Sequence, residues 1–225
     1  MSKHTEVESN SLVSKTKLVW ITPNPEETIA YVARVSNPAN QDKEVGGLLS
    51  YCLKHGHFSV FEMASACVEI TTTRDIARQI LRHRSFSFQE FSQRYAEPSA
   101  LTDEYVFREA RLQDTKNRQN SIATDDEELQ NWFDYQQHSI QFAAKQVYHE
   151  AIQRGIAKEQ ARVVLPEGLT MSRIYMSGTL RSWYHYCSLR SAHGTQLEHS
   201  DVAKQASLLL KEHFPLSGEQ LFPTL

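Results

Sequence analysis

The sequence predicts an α+β fold in a single domain, with a central, mostly antiparallel or mixed sheet packed against long helices. Three observations carry this expectation. Short apolar or alternating runs at 18–22, 66–72 and 170–178 read as strands. Longer segments between and after them space their apolar residues three and four apart, the period of helices with one buried face. No glycine-rich phosphate turn follows a strand, so a parallel dinucleotide-binding arrangement has no fingerprint here.

Residues 1–16 are polar, rich in Ser, Lys and Glu, and are expected to form a mobile tail ahead of one domain at 17–225. LVWIT at 18–22 is a β-branched and aromatic run stopped by Pro23. From Pro25 the period changes. Ile29, Val32, Ala33 and Val35 follow Glu26 and Glu27, whose charges suit the first turn of a helix, and Asn37-Pro38 ends it. A second helix is expected over residues 43–54, with Val45, Leu48, Leu49 and Cys52 on one face. It closes at His55-Gly56-His57, where Gly56 supplies a left-handed cap. Those two histidines read as a helix end rather than as metal ligands, because no third ligand stands at a zinc-like spacing.

ACVEITT at 66–72 alternates as a half-buried strand, and RDIARQILRHR follows as a helix. Ile76, Ala77, Ile80 and Leu81 form its buried stripe, leaving Arg78, Gln79 and Arg82 together on the other side. Beyond Arg84 the phenylalanines at 86 and 88 keep a period of two, but the next is at 91, so a turn or bulge is expected near Gln89-Glu90. Were the chain extended past that slip, Glu90, Ser92 and Arg94 would share one face. Residues 96–124 are charged and turn-rich, a surface excursion or lid with a strand hint only at 105–107. A long helix is expected from Thr124, whose hydroxyl and Glu127 would form a capping box. Leu129, Trp132, Phe133, Ile140, Ala143, Ala144, Val147, Tyr148 and Ile152 would be its core stripe. A short helix up to Pro166, a strand at 170–178, a helix at 179–190 and a last helix at 195–213, burying Leu197, Ala203, Ala206, Leu209 and Leu210, complete the chain.

Composition bounds the function. A chain of 225 residues buries roughly 70–75% of the surface its unfolded form exposes, enough for one core without staples. Apolar residues at 40% and charged residues at 23% are ordinary for a globular protein. A net charge of −3 argues against a general nucleic-acid binder, so any basic site must be local. Cys52, Cys67 and Cys187 are too few and too scattered for a disulfide framework, which points to a reducing compartment. The N-terminus lacks the apolar core of a signal peptide and no apolar run reaches membrane-spanning length, so a cytoplasmic protein without membrane partners is expected.

The local basic site is conspicuous. From Arg74 to Arg94, five arginines and one histidine stand against Asp75 and Glu90, an excess of about +3 in a chain of net −3. Arginine presents a rigid fork of donors that matches phosphate or carboxylate. The centre of this region is RHRSFSFQEFSQRY, residues 82–95, which packs cations, small hydroxyls and one carboxylate together. A second cationic set is Arg162, Arg181 and Arg190. Arg181 and His185 lie one turn apart on one helix face while Arg190 lies nearly opposite, so two ligands, or two subunits meeting at a shared site, would account for both faces. A solvated basic surface is the competing reading of either set.

RHR followed by Ser87, Ser92 and Arg94 in the pattern RHR-x₂-S-x₄-S-x-R resembles the signature of the flavin-dependent thymidylate synthases. HFSVFE at 57–62, QILRHR at 79–84, ARVVLP at 161–166, LRSWYHYCSLR at 180–190 and TQLEH at 195–199 are similar to family segments in the family order. The resemblance implies a homotetramer with shared active sites that converts dUMP to dTMP, using methylenetetrahydrofolate as carbon donor and NADPH-reduced FAD as hydride source. Carried over by position, it implies flavin contacts at Ser59, Arg82, His83, Arg84, Glu90, Thr179, Arg181 and His185. It implies dUMP contacts at Gln79, Arg82, Glu90, Phe91, Ser92, Gln93, Arg94, Arg162 and Arg190, with no metal. Arg190 would act catalytically by stabilising the uracil anion, since arginine is too weakly acidic to serve as a base. No thiol nucleophile is needed in this scheme, in keeping with cysteines on apolar faces. Two positions depart from the family: Thr179 stands where asparagine is common, and Met63 where many members have histidine. The alternatives are a nucleic-acid-binding module, in which the arginines meet phosphates and the phenylalanines stack on bases, and a nucleotide-dependent flavoprotein without methyl transfer.

Overall fold

The computed structural model describes residues 14–101 and 105–223. In chain order, strand β1 (Lys15–Ile21) leads to helices α1 (Pro25–Ala33) and α2 (Leu48–Lys54). A 3₁₀ turn at Phe58–Met63 leads into β2 (Ser65–Thr73), α3 (Arg74–Ile80) and β3 (Ser87–Glu90). The hairpin β4 (Arg111–Gln113) and β5 (Ser121–Ala123) precedes the long α4 (Glu127–Gln153). After it come α5 (Lys158–Ala161), β6 (Met171–Thr179), α6 (Leu180–Arg190), α7 (Leu197–Lys211) and α8 (Gly218–Leu221). The main sheet has the order β1-β2-β6-β3 and every neighbouring pair is antiparallel, as an α+β fold requires.

The sheet is centred on β2 and β6, which pair in unbroken register from Ser65↔Thr179 to Thr73↔Met171. Val68 faces Met176 and Ile70 faces Ile174 across this pair, all fully buried. They join Leu18 of β1, Trp183 and Tyr186 of α6, and Val202, Ala206 and Leu210 of α7 in one core. The opposite face of the pair is wetter and carries an Arg173–Glu69 ion pair at 3.4 Å. Gly178 of β6 is required by what lies on it. A Cβ there would stand 2.5 Å from the ring of Phe86, which packs edge-on against Trp183 at 4.9 Å between centroids. That ring pins the start of β3 to the sheet.

Several expectations are corrected. Of the tail expected at 1–16, residues 1–13 lie outside the described residues, and residues 15 and 16 belong to β1, where Thr16 turns inward and is 3% exposed. The second helix begins at Leu48 rather than near 43, because Gly46, in the left-handed region at φ 52°, interrupts it. β3 stops at Glu90, and the chain then turns, with Tyr95 N–H and Ala96 N–H both donating to Ser92 C=O at 3.1 Å. Glu90, Ser92 and Arg94 therefore do not share a pleat face. The excursion holds a hairpin at 111–123 and no strand at 105–107. α4 is capped by Asp126, which accepts from Leu129 N–H at 3.0 Å, while Thr124 Oγ1 accepts from Asp126 N–H at 3.3 Å. Its expected core stripe holds only in part: Tyr148 is buried and Leu129, Phe133, Ala144 and Ile152 are partly buried, but Trp132, Ile140 and Val147 are 57%, 55% and 50% exposed. Leu197, at the first position of α7, is exposed. No helix among the described residues is long and apolar enough to cross a membrane.

Candidate active site

The fold presents the chemistry-bearing residues as three groups around α3, β3 and α6. The first lies where α3 ends, α6 ends and α7 begins. α3 closes with Leu81 N–H donating to Ala77 C=O at 2.9 Å, and His83 N–H donates to Ile80 C=O at 3.0 Å. Because Phe86 plunges into the core, Arg82, Arg84 and Ser85 are left outside. His83 stays half-buried, edge-on to Tyr186 at 4.9 Å, and its Nε2 accepts from Arg190 Nε at 2.9 Å. An imidazole nitrogen that accepts from a guanidinium must be unprotonated, and burial together with the Arg190 and Arg82 charges lowers His83 from 6.5 to about 4. Gln79 is half-buried beside them and bonds to Gln196 at 2.7 Å and to His199 at 3.2 Å.

The second group surrounds the end of β3. Glu90 Oε1 accepts from Ser172 Oγ at 3.1 Å and lies 3.9 Å from Arg74 Nη1. Phe91 N–H donates to Arg173 C=O at 2.8 Å, which folds the following turn back on β6. Ser92 Oγ accepts from Arg94 N–H at 3.4 Å. Gln93 is 3% exposed, and its Nε2 has no partner among the described residues. Arg94 Nε sits 3.5 Å from Glu159, whose backbone carbonyl accepts from Arg162 Nε at 3.3 Å, so one residue of α5 brings both arginines to this end.

The third group is at the start of α6. Thr179 caps the helix by accepting from Ser182 N–H at 3.3 Å. Arg181 is paired with Glu62 of the 3₁₀ turn that carries the exposed Ser59. His185 lies edge-on to Phe58 at 4.9 Å, and burial followed by the Arg181 charge lowers its pKa. Ser182 Oγ donates to Ser85 C=O at 3.2 Å, which ties this group to the RHR turn.

Charge accounting separates structural arginines from available ones. Arg74, Arg78, Arg94, Arg173 and Arg181 each have a carboxylate within 4 Å. Among the described residues Arg82, Arg84, Arg162 and Arg190 have none. Within one chain, Arg82, His83, Arg84 and Arg190 are thus brought together with Gln79, while Glu90 to Arg94 and Arg162 form a separate cluster. Ser59, Thr179, Arg181 and His185 form the third. Sequence reasoning assigned no role to Ser172, Gln196, Glu198 or His199. The only signal was TQLEH, a polar run opening a helix whose later positions are core.

On this antiparallel α+β fold, Arg82, Arg84 and Arg190 without carboxylate partners beside His83 make a cationic surface whose chemistry suits an anionic ligand. The profile of the family described as "Thymidylate synthase complementing protein" matches residues 17–216. The chain is 50% identical over 192 residues to the flavin-dependent thymidylate synthase of Synechocystis sp., covering 85% of this chain and 87% of that protein. It is 48% identical over 216 residues to a probable flavin-dependent thymidylate synthase of Paramecium bursaria Chlorella virus 1, covering 95% and 98%. The crystal structure of a UMP/dUMP methylase, PolB from Streptomyces cacaoi bound with 5-Br dUMP, has the same fold, with a TM-score of 0.79, 24% identity and coverage of 94% and 96%. This chain is an enzyme of the flavin-dependent thymidylate synthase family.

Proposed function

We propose that the protein catalyses the reductive methylation of dUMP to dTMP, with methylenetetrahydrofolate as carbon donor and NADPH-reduced FAD as hydride source. The observation that carries this reading is Arg190. Its Nε–H is committed to His83 Nε2 at 2.9 Å, which orients the guanidinium and leaves its two Nη groups for a ligand. A neutral His83 adds no competing positive charge, so negative charge developing on a uracil carbonyl would meet an oriented cation.

The residues fit a flavin. Arg82 and Arg84 are exposed cations without carboxylate partners, suited to a pyrophosphate, and the Phe58–His185 pair offers a ring ledge. Ser59, Arg82, His83, Arg84, Glu90, Thr179, Arg181 and His185 would hold FAD, which supplies the hydride when bound. Because the Thr179 hydroxyl already accepts from Ser182 N–H and donates to Ser182 Oγ at 3.2 Å, whose own proton goes to Ser85 C=O, its flavin contact would use the oxygen's remaining lone pair. Gln79, Arg82, Glu90, Phe91, Ser92, Gln93, Arg94, Arg162 and Arg190 would hold dUMP. The unpartnered Nε2 of Gln93, in a residue 3% exposed, is a donor in want of such a partner. All three thiols are buried and their pKa values raised by that burial, which suits a mechanism without a cysteine nucleophile. The same three free thiols suit a reducing, cytoplasmic setting. The apolar row Trp132, Ile140 and Val147 on α4 suits self-association, as a homotetramer with shared sites would need.

The test is formation of dTMP by the purified protein from dUMP, methylenetetrahydrofolate and NADPH. Arg190→Ala should bind FAD but lose about 10²–10³-fold in turnover, the scale of removing one oriented electrostatic stabiliser. Near-normal turnover removes Arg190 from the mechanism. NADPH oxidation with no dTMP formed would favour a flavoprotein without methyl transfer. Colourless protein that ignores FAD but binds oligonucleotides would favour the nucleic-acid module.

A further inference from the structure

From the excursion hairpin to His199 runs a partly buried polar chain of which the reaction scheme uses only Gln79. Arg111 of β4 is paired with Glu198 Oε1, a carboxylate 7% exposed at the start of α7. Glu198 Oε2 accepts from Gln196 Nε2 at 2.9 Å, and Gln196 Oε1 accepts from Gln79 Nε2 at 2.7 Å. Gln79 Oε1 faces His199 Nδ1 at 3.2 Å, and His199 is fully buried.

The direction of every bond in this chain follows from one charge. An ionised carboxylate accepts only, so Gln196 must turn its amide nitrogen to Glu198 and its oxygen to Gln79. Gln79 must then offer its nitrogen to Gln196, which leaves its oxygen toward His199. His199 must in turn carry its proton on Nδ1. Burial, then the Arg190 charge, lowers His199 to about 3, so it is neutral and keeps that single proton. A glutamine amide is nearly symmetric in shape and could otherwise sit in either of two orientations, which present opposite donor and acceptor patterns to a ligand.

We propose that Arg111, Glu198, Gln196 and His199 are positioning residues that hold the Gln79 amide in one orientation, so that the nucleotide site always offers one N–H and one carbonyl lone pair at fixed places. The excursion thereby acquires a role, since its hairpin supplies the cation that anchors the chain. The proposal rests on the reading that Gln79 contacts dUMP.

The experiment measures dUMP affinity of the FAD-loaded protein by titration calorimetry, and KM and kcat for dUMP, in Gln79→Ala, His199→Phe, His199→Asn and Glu198→Leu. His199→Phe removes the donor and Glu198→Leu the polarity source. Each is expected to weaken dUMP roughly threefold to tenfold, the effect of one misaligned hydrogen bond, raising KM with kcat held. His199→Asn places an amide N–H where Nδ1–H stood and is expected to stay within about twofold of wild type. FAD affinity and thermal stability in each variant control for folding. Equal weakening by His199→Phe and His199→Asn, or wild-type affinity in His199→Phe alongside weakened binding in Gln79→Ala, would overturn the positioning role alone. Unchanged affinity in Gln79→Ala would overturn the nucleotide contact and the positioning role with it.

Discussion

Acidification is the perturbation that bears most directly on the surroundings of Arg190. His83 and His199 flank that guanidinium, with ring centroids 6.1 Å apart. Burial first, then the Arg190 charge, lowers His83 to about 4 and His199 to about 3, from 6.5. The unfolded chain binds a proton on each imidazole near pH 6.5 and the native chain does not. Stability is therefore complete above that value and is lost as pH falls through the window from 6.5 to about 4 for His83 and about 3 for His199. Inside the window the loss is about 1.4 kcal/mol per pH unit per group. For the fully buried His199 this amounts to roughly 2 kcal/mol between pH 6.5 and 5. His83 is half-exposed, and solvent screening reduces its share. Asp75 does not confuse the result. Its burial would raise its pKa, but hydrogen bonds from Arg108 and Thr73 prevail and hold it below 3.8, so its own loss falls at lower pH. Urea midpoints measured at pH 7.5, 6 and 5 should show the decline, and His199→Asn should flatten it by about 2 kcal/mol whatever its stability at pH 7.5. A variant that declines as steeply as wild type would refute the neutral, buried His199.

Three further perturbations test the frame that holds the site. Gly178→Ala would set a Cβ 2.5 Å from the Phe86 ring. The expected cost is about 1–3 kcal/mol of overpacking, seen as a lower Tm, and a wild-type Tm would mean that the ring does not lie on the strand. Glu26 is 1% exposed and accepts from Leu216 N–H, Ser217 N–H and Ser217 Oγ. Glu26→Ala should cost about 1–3 kcal/mol for each donor left unpaired, read by urea unfolding. Ile140→Asp, at the centre of the exposed row on α4, should lower the mass measured by sedimentation with little effect on protomer helicity, and an unchanged mass would exclude that row from self-association.

Most of the main sheet and its helices were legible because their patterns are local. β2 alternates from Val68 to Thr72 and α3 carries a single apolar stripe, so one window of sequence suffices for each. The errors arise where a pattern is true but its partner lies elsewhere. The stripe on α4 has the right period for burial, yet Trp132, Ile140 and Val147 face outward, because periodicity says that a face is apolar and not what covers it. The slip at Gln89-Glu90 marked the end of β3 correctly, but the turn that follows is set by Phe91 N–H reaching Arg173 C=O, a contact between residues far apart in sequence. The RHR signature was readable as spacing. The Arg111–Glu198–Gln196–Gln79–His199 chain was not, since it joins three elements whose proximity only the fold creates.

The two halves of RHRSFSFQEFSQRY differ in what surrounds them, and that difference constrains how a site can be assembled. Arg82, His83 and Arg84 stand at the end of α3 with Arg190, whereas Glu90 to Arg94 stand past the far end of β3 with Arg162. The four residues of β3 span roughly 13 Å, at the ordinary rise per strand residue. Phe86 is buried and Phe88 half-buried in that span, so the core occupies part of the space between the two polar groups. Were one dUMP to meet both halves as proposed, a second copy placing its own β3 end beside this chain's Arg190 would supply the contacts without bridging that span, and the uncovered apolar row on α4 would serve such an arrangement. The same separation explains the charge pattern. Under the proposed assignment, a ligand phosphate at Arg94 would have to compete only with its exposed, weak pair to Glu159, whereas half-buried Arg190, bonded to His83, would keep its full charge for the uracil.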